Sequence, residues 1–271
     1  MADKKGIMKF LNDWVFKPNY VITKTIRNFM DNMGILDPID QFIYTKIEDP
    51  LFYMWFTNSY DLKIINDEVI PSEEEGCCVF AANHQSIMDP LVSGLAIVHN
   101  SRRIPFQLTK AELGKDPMLG NFVDMNQTIF IERGEHDIEA LEKCVSEIKE
   151  NNRPILVYPE GTYGPGNGVM LEFKTGVARI AWDAQVPIIP MATWGIDKIM
   201  GKEASRSMKP PKSEGKLRVK FGDPIPLSRL FPGKSAEDQI SREEFQKGTE
   251  KVQQAVQGIW SELNQKELEQ Y

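Results

Sequence analysis

The chain has 271 residues, of which 41% are hydrophobic and 26% are charged, and its net charge is −7. This length allows one large α/β domain or one domain with an appended segment. The negative charge argues against a general nucleic-acid-binding protein. Because no apolar run reaches about 18 residues, we expect no membrane-spanning helix, and no secretory signal is predicted.

The N-terminal stretch differs in charge from the rest of the chain. Residues 1–30 carry six basic and two acidic side chains, and their apolar side chains recur on one face of two short predicted helices. An aromatic cluster follows at residues 52–56. Such helices either pack on the protein's own core or lie in a membrane interface, and basic charge beside aromatic residues favours the membrane. We predict that residues 1–60 form a membrane-docking segment and residues 61–271 the main domain.

From residue 76 onward, predicted strands and helices alternate. Short apolar runs typical of strands occupy residues 77–82, 104–108, 128–131, 155–158, 188–192 and 217–221. Helical periodicity marks residues 138–148, 173–181 and 242–268. This order predicts an α/β fold, in which a central mixed sheet is flanked by helices and ligands bind near the strand ends.

The three cysteines are Cys77, Cys78 and Cys144. Their spacing fits no metal site, and two of them lie in the first predicted strand of the sheet. We therefore expect packed free thiols, a reducing compartment and no metal.

A loop after that strand holds His84 and, five positions later, Asp89. A neutral imidazole can accept a proton from a hydroxyl near pH 7, and a carboxylate on its other nitrogen fixes the tautomer. A regular helix would point the two side chains apart, so the loop-to-helix turn before Pro90 must bring them together. The alternative is structural, because Asp89 and Ser86 are both good candidates for a helix N-cap.

Two later strand ends carry residues suited to an anion. Arg133 follows the run 128–131, and its guanidinium matches a phosphate unless it pairs with a neighbouring glutamate. Glu160, Gly161 and Thr162 follow the run 155–158. A glycine lets backbone N–H groups approach an anion, and a threonine hydroxyl adds a donor, although the same residues also suit a plain tight turn.

Taken together, four motifs resemble those of the glycerophosphate acyltransferases, especially the lysophosphatidate (1-acylglycerol-3-phosphate) acyltransferases. They are Asn-His-Gln-Ser-Ile-Met-Asp at 83–89, Phe-Ile-Glu-Arg at 130–133, Pro-Glu-Gly-Thr at 159–162 and Val-Pro-Ile-Ile-Pro at 186–190. Residues 110–113 and 173–176 resemble two further family segments. The resemblance covers about residues 76–226, and the family order of the motifs makes it specific.

The resemblance implies an enzyme that moves a fatty acyl chain from an acyl thioester to the free hydroxyl of lysophosphatidic acid, giving phosphatidic acid. His84 would be the general base and Asp89 would orient it. Arg133, helped by Lys110, would hold the acceptor phosphate. The site would be completed by Glu160, to which no physical role is assigned, and by Gly161 and Thr162. The donor would be acyl-CoA or acyl carrier protein, and no other cofactor is expected.

The resemblance also implies a monotopic protein on a membrane surface, at its cytoplasmic face. One departure concerns the acceptor, because Tyr163 stands where the family often has an arginine after Glu-Gly-Thr. The acceptor could then be glycerol-3-phosphate, another lysophospholipid or a glycolipid. A thioesterase and a catalytically inactive lipid-binding protein are the remaining alternatives.

Overall fold

The computed structural model describes residues 36–110, 128–131, 138–203 and 212–269. Its strands are β1 Lys63–Ile65, β2 Val79–Ala82, β3 Phe106–Lys110, β4 Thr128–Ile131, β5 Ile155–Val157, β6 Ile188–Trp194 and β7 Arg218–Phe221. Its α-helices are α1 Leu36–Ile43, α2 Asp49–Tyr60, α3 Asp89–Ser101, α4 Ile138–Asn151, α5 Gly176–Ala184, α6 Ile196–Met200, α7 Leu227–Leu230 and α8 Arg242–Leu268. A π-helical turn, Tyr44–Glu48, joins α1 to α2.

The strands of this described part form one mixed sheet in the order β1-β7-β6-β2-β5-β3-β4. Strands β6, β2, β5, β3 and β4 run parallel to one another, whereas β7 runs antiparallel to β6. The predicted mixed α/β sheet is therefore confirmed. Because the parallel strands end at one edge, the loops that follow β2, β5 and β6 meet there.

Helices cover both faces of the sheet, because the residues of the central strand alternate between two apolar cores. Val79 and Ala81 of β2 face the core built with α4, α5 and α8, and Phe80 and Ala82 face the core built with α2 and α3. All four side chains are fully buried. A continuous apolar run without polar alternation is what burial on both faces requires.

The last helix, α8, begins at a capping box in which Ser241 and Glu244 satisfy each other's backbone N–H groups. Its buried side chains include Val252, Val256 and Leu263 at helical spacing, and they pack on β6. This helix has the bounds that the sequence predicts. The interpretation of its apolar face as core packing is also confirmed.

All six predicted strands are present, but the sequence did not predict β1. This edge strand has only three residues and is partly exposed, so its periodicity is too short to read. It pairs with β7 in parallel register, with Lys63 opposite Arg218. Arg218 is 2% exposed in its side chain and forms ion pairs with Asp61 and Glu267, which tie this edge to the end of α8.

The predicted docking segment, residues 1–60, is described only from residue 36 onward. Helix α2 packs Phe56 and Tyr60 into the core. Six of the nine exposed large hydrophobic side chains of the described residues lie in this segment; they are Ile39, Phe42, Ile47, Leu51, Met54 and Trp55. Among the described helices, none is both long and apolar enough to cross a membrane.

A second acid–histidine contact fastens this segment to α3. The buried carboxylate of Asp49 lies 2.8 Å from Nη1 of Arg102 and 3.4 Å from Nδ1 of His99. The ring of Tyr53 stacks on His99 with 3.8 Å between centroids. Helix α2 is thereby attached to the helix whose first residue is Asp89.

Candidate active site

The centre of the site is the contact between His84 and Asp89 at the carboxyl end of β2. Nδ1 of His84 lies 2.9 Å from Oδ2 of Asp89. The histidine side chain is 14% exposed and the aspartate is fully buried. Among the described residues, none forms a hydrogen bond with Nε2 of His84. A histidine held at Nδ1 by a carboxylate keeps Nε2 for a substrate proton.

Asp89 accepts hydrogen bonds from three groups besides the histidine. The backbone N–H groups of Gln85 and Ser86 donate to Oδ2 at 2.5 and 2.7 Å, and the hydroxyl of Thr193 donates to Oδ1 at 3.0 Å. The alternative role of Asp89 as a helix N-cap is wrong, because its side chain bonds residues that precede α3. Met88 is the N-cap of α3, and its side chain forms no cap bond.

Asn83 ties the histidine loop to the neighbouring strand β6. Its side-chain amide donates to the carbonyl of Thr193 at 3.0 Å and accepts from the N–H of Thr193 at 2.8 Å. Both residues are buried. The paired bonds fix where the chain leaves β2, and they place the Thr193 hydroxyl beside Asp89.

Glu160 lies under the histidine loop rather than at an open surface. Oε1 accepts from the backbone N–H of His84 at 2.7 Å, and Oε2 accepts from the N–H of Leu171 at 2.8 Å. Burial raises the pKa of Glu160 to about 7, even though both N–H groups act to lower it; the charge of Asp89 raises it further. This geometry gives Glu160 a physical role, namely to brace the backbone at His84.

Two tyrosine rings contact the imidazole. Tyr158, directly after β5, stacks on His84 with 4.4 Å between ring centroids and 27° between planes. Tyr163 meets it near a right angle, at 4.5 Å and 67°. Burial, and then the charge of Asp89, raise the pKa of Tyr163 to about 12, so its hydroxyl stays neutral in ordinary buffers.

The turn at Gly161 lies against the side chain of Lys174. Gly161 has a φ of +68°, which favours glycine, and any β-carbon there would lie 2.8 Å from Nζ of Lys174. Thr162 follows it and is partly buried. The ammonium group of Lys174 therefore lies against the turn in which the sequence predicts an anion site.

The loop beyond Tyr163 closes over the histidine. The N–H of Gly164 donates to the carbonyl of His84 at 2.6 Å, and the side chain of Gln85 donates to the carbonyl of Val169 at 3.3 Å. A β-carbon at Gly164 would lie 2.7 Å from Nε2 of Gln85 and 2.8 Å from the Val169 oxygen. Only glycine fits this position without displacing the loop.

The structure describes the side chain of neither predicted phosphate ligand. Arg133 lies outside the described residues, and of Lys110 only the backbone is described. Strand β3 ends at Lys110, which is opposite Ile131, the last residue of β4. Both strands thus end at the edge that holds His84.

Several residues of the site were not predicted from sequence, namely Thr193, Asn83, Tyr158, Lys174 and Gly164. Asn83 is the first residue of the first motif and Gly164 lies two positions after the third, and these positions are the available signal. Thr193 is 104 positions from Asp89, and only the pairing of β2 with β6 brings them together. The described residues contain no cluster of three metal-binding side chains.

Comparison with known proteins identifies similar sequences and a similar fold. Residues 61–194 match the family model described as Acyltransferase. The chain is 32% identical over 151 residues to the 1-acyl-sn-glycerol-3-phosphate acyltransferase of Helicobacter pylori, covering 55% of this chain and 62% of that protein. It is 27% identical over 178 residues to the enzyme of that name from Saccharomyces cerevisiae, covering 60% of this chain and 55% of that protein.

The fold is similar to the crystal structure of the 1-acyl-sn-glycerophosphate (LPA) acyltransferase PlsC from Thermotoga maritima. The TM-score is 0.58 at 23% sequence identity, over 96% of this chain and 92% of the other. By contrast, the matches to the Helicobacter and Saccharomyces proteins span less than two thirds of those proteins' length.

Proposed function

We propose that the chain is a member of the family described as Acyltransferase, whose model matches residues 61–194, and that it transfers a fatty acyl chain from an acyl thioester to the free hydroxyl of lysophosphatidic acid, giving phosphatidic acid. The observation that carries the proposal is the 2.9 Å contact between Nδ1 of His84 and the buried carboxylate of Asp89. The names of the Helicobacter and Saccharomyces relatives support the same acceptor.

In this reaction His84 acts as the general base. Its Nε2 takes the proton from the acceptor hydroxyl while that oxygen attacks the thioester carbonyl. A C–O bond forms, the C–S bond breaks, and the imidazolium returns its proton to the leaving thiolate. Asp89 keeps the proton on Nδ1 and stabilises the imidazolium. General-base assistance of this kind contributes roughly 10²–10⁴-fold in rate.

The acceptor phosphate lies at the edge where β3, β4 and β5 end. Arg133 and Lys110 bind it, as the resemblance implies, and the turn of Gly161 and Thr162 completes the site. The position of Lys174 beside Gly161 supports this arrangement, because it adds a cation where the family's usual arginine is replaced by Tyr163. Glu160 does not contact the phosphate in this arrangement; it holds the general base in place by accepting a hydrogen bond from the backbone N–H of His84.

Residues 1–60 place the site on a membrane surface, at its cytoplasmic face. Six exposed apolar side chains among residues 39–55 support this, because such side chains suit the boundary between headgroups and acyl chains. The free cysteines of the described structure fit the reducing side of the membrane. A lysophospholipid and its product both reside in that bilayer.

The decisive experiment follows thiol release from acyl-CoA by the full chain, with each of several acceptors. We expect rapid release with lysophosphatidic acid, slow release without acceptor, and loss of activity in a folded His84→Ala variant. Equal release without acceptor would identify a thioesterase instead. No release with any acceptor would favour a lipid-binding protein without activity, and an active His84→Ala variant would exclude the mechanism.

A second acceptor is the alternative that a specific residue favours. Tyr163 stands directly after the third motif, where the family often has an arginine. Because that positive charge is replaced, the site could prefer an acceptor with a different headgroup. The same acceptor panel therefore includes glycerol-3-phosphate, lysophosphatidylglycerol, lysophosphatidylethanolamine and a glycolipid. A kcat/KM higher for any of these than for lysophosphatidic acid would reassign the substrate and leave the chemistry unchanged.

A further inference from the structure

The imidazole of His84 is enclosed by two tyrosine rings that the reaction described above does not use. Tyr158 covers one face, and Tyr163 meets the ring near a right angle. With Asp89 at Nδ1, these contacts leave only 14% of the side chain exposed. The histidine is therefore held on three sides, and none of the described residues bonds its Nε2.

From this geometry we infer that Tyr163 is a positioning residue of the acyl transfer, which together with Tyr158 holds the imidazole with Nε2 toward the acceptor and stabilises the imidazolium formed during the reaction. The inference rests on the proposed role of His84 as general base. It implies that Tyr163, which stands where the family often has an arginine, acts on the general base His84 rather than on the acceptor phosphate.

The loop backbone sets the position of the Tyr163 ring. The next residue, Gly164, donates its N–H to the carbonyl of His84, and no larger side chain fits there. On the other side, the turn from Tyr158 is closed by the N–H of Gly161. These bonds fix the backbone from which each ring projects, so neither backbone segment can move away from its place without breaking a hydrogen bond.

The chemistry of the two rings suits the imidazolium that forms during the reaction. Aromatic faces attract cations, and stacked or edge-on pairs of rings stabilise one another. Asp89 and Glu160 are the other titratable groups that contact the side chain or backbone of His84. Because the pKa of Tyr163 is about 12, its hydroxyl exchanges no proton with His84 at working pH. An arginine at this position would instead place a positive charge beside the forming imidazolium.

The test compares Tyr163→Phe, which keeps the ring, with Tyr163→Leu, which removes it. We expect Tyr163→Phe to retain kcat within about threefold and Tyr163→Leu to lower it roughly tenfold, with the KM of acceptor and donor within about twofold. In Tyr163→Leu the acid limb of the kcat profile should move to lower pH, because the imidazolium loses a stabilising contact. A merely structural role would not move that limb.

The control is Phe231→Leu, which removes an edge-on contact with Trp182 on the other side of the sheet and should leave kcat and its pH profile unchanged. NMR titration of His84 provides a readout that needs no activity, and its midpoint should fall in Tyr163→Leu. An unchanged kcat and midpoint in Tyr163→Leu would overturn the inference, as would a change confined to the KM of the acceptor. Failure of the proposed function is distinguishable, since it would remove turnover from the wild type and leave the titration measurable.

Discussion

Thr193, near the end of β6, donates its hydroxyl to Oδ1 of Asp89 across 3.0 Å in a fully buried setting. The other oxygen of this carboxylate serves the histidine and two backbone N–H groups. Thr193 is therefore the only described side chain other than His84 that donates to Asp89. The orientation of the proposed base depends on a residue outside all four motifs.

Replacing Thr193 by valine keeps its shape and removes the donor. Because a buried acceptor is left without a partner, we expect the free energy of unfolding to fall by about 1–3 kcal/mol. We expect kcat to fall roughly tenfold, equivalent to about 1.4 kcal/mol in the barrier. Thr193→Ser is the matched control and should retain most of the stability and most of kcat. Urea unfolding measures the stability, and steady-state kinetics measure kcat. A Thr193→Val variant as active and stable as the serine variant would contradict this role.

Glu160 predicts a pH dependence of stability with a definite sign. Its pKa of about 7 in the folded protein lies above the usual value of 4.5, because it is buried. The folded state therefore binds the proton more tightly than the unfolded state. The resulting stabilisation is fully present below about pH 4.5 and is lost as the pH rises through 7, with an upper limit of about 3 kcal/mol.

This dependence is measured by urea unfolding of the wild type and Glu160→Gln between pH 5 and pH 8. All other carboxylates titrate in both proteins, so the difference between the two curves isolates Glu160. We expect the stability of the wild type to fall relative to that of the glutamine variant as the pH rises. Parallel curves would show that Glu160 ionises in the folded protein as it does in the unfolded chain.

Gly164→Ala should disturb the loop over the histidine. The added β-carbon would lie within 3.0 Å of atoms of Gln85, Val169 and Glu160, so we expect a loss of about 1–3 kcal/mol in stability and a lower kcat. Gly258→Ala is the control, because nothing lies within 4 Å of its new atom and it sits inside α8. That variant should gain about 0.5–1 kcal/mol. Equal melting temperatures and kcat values would refute the steric argument.

The exposed apolar surface of α2 predicts membrane binding. A double variant with Leu51→Glu and Met54→Glu places two charges on side chains that are 56% and 57% exposed, so folding should be preserved. We expect at least tenfold weaker co-sedimentation with anionic liposomes, since both charges would have to enter the interface. Ile138→Glu, on the equally exposed surface of α4, should bind like the wild type. Undiminished binding by the double variant would place the contact elsewhere.

The sequence predicts those features of the fold and site that depend on one short stretch of residues. The strand before His84, the turn that brings Asp89 back to it and the length of α8 were all predicted from local patterns. The role of Glu160 was not, because a glutamate in a turn gives no sign that it will be buried under another loop. Likewise, the contact of Thr193 with Asp89 exists only after β6 has paired with β2, which no local periodicity encodes. The proposed phosphate roles of Arg133 and Lys110 remain predictions.

The position of β1 in the sheet has a consequence for biosynthesis. Its neighbour is β7, and Arg218 binds Asp61 across 157 positions of the chain. While the nascent chain emerges from the ribosome, this edge strand has no neighbour in the sheet until residues 218–221 have been translated. Helices α1 and α2 are therefore synthesised well before the edge strand that follows them can pair.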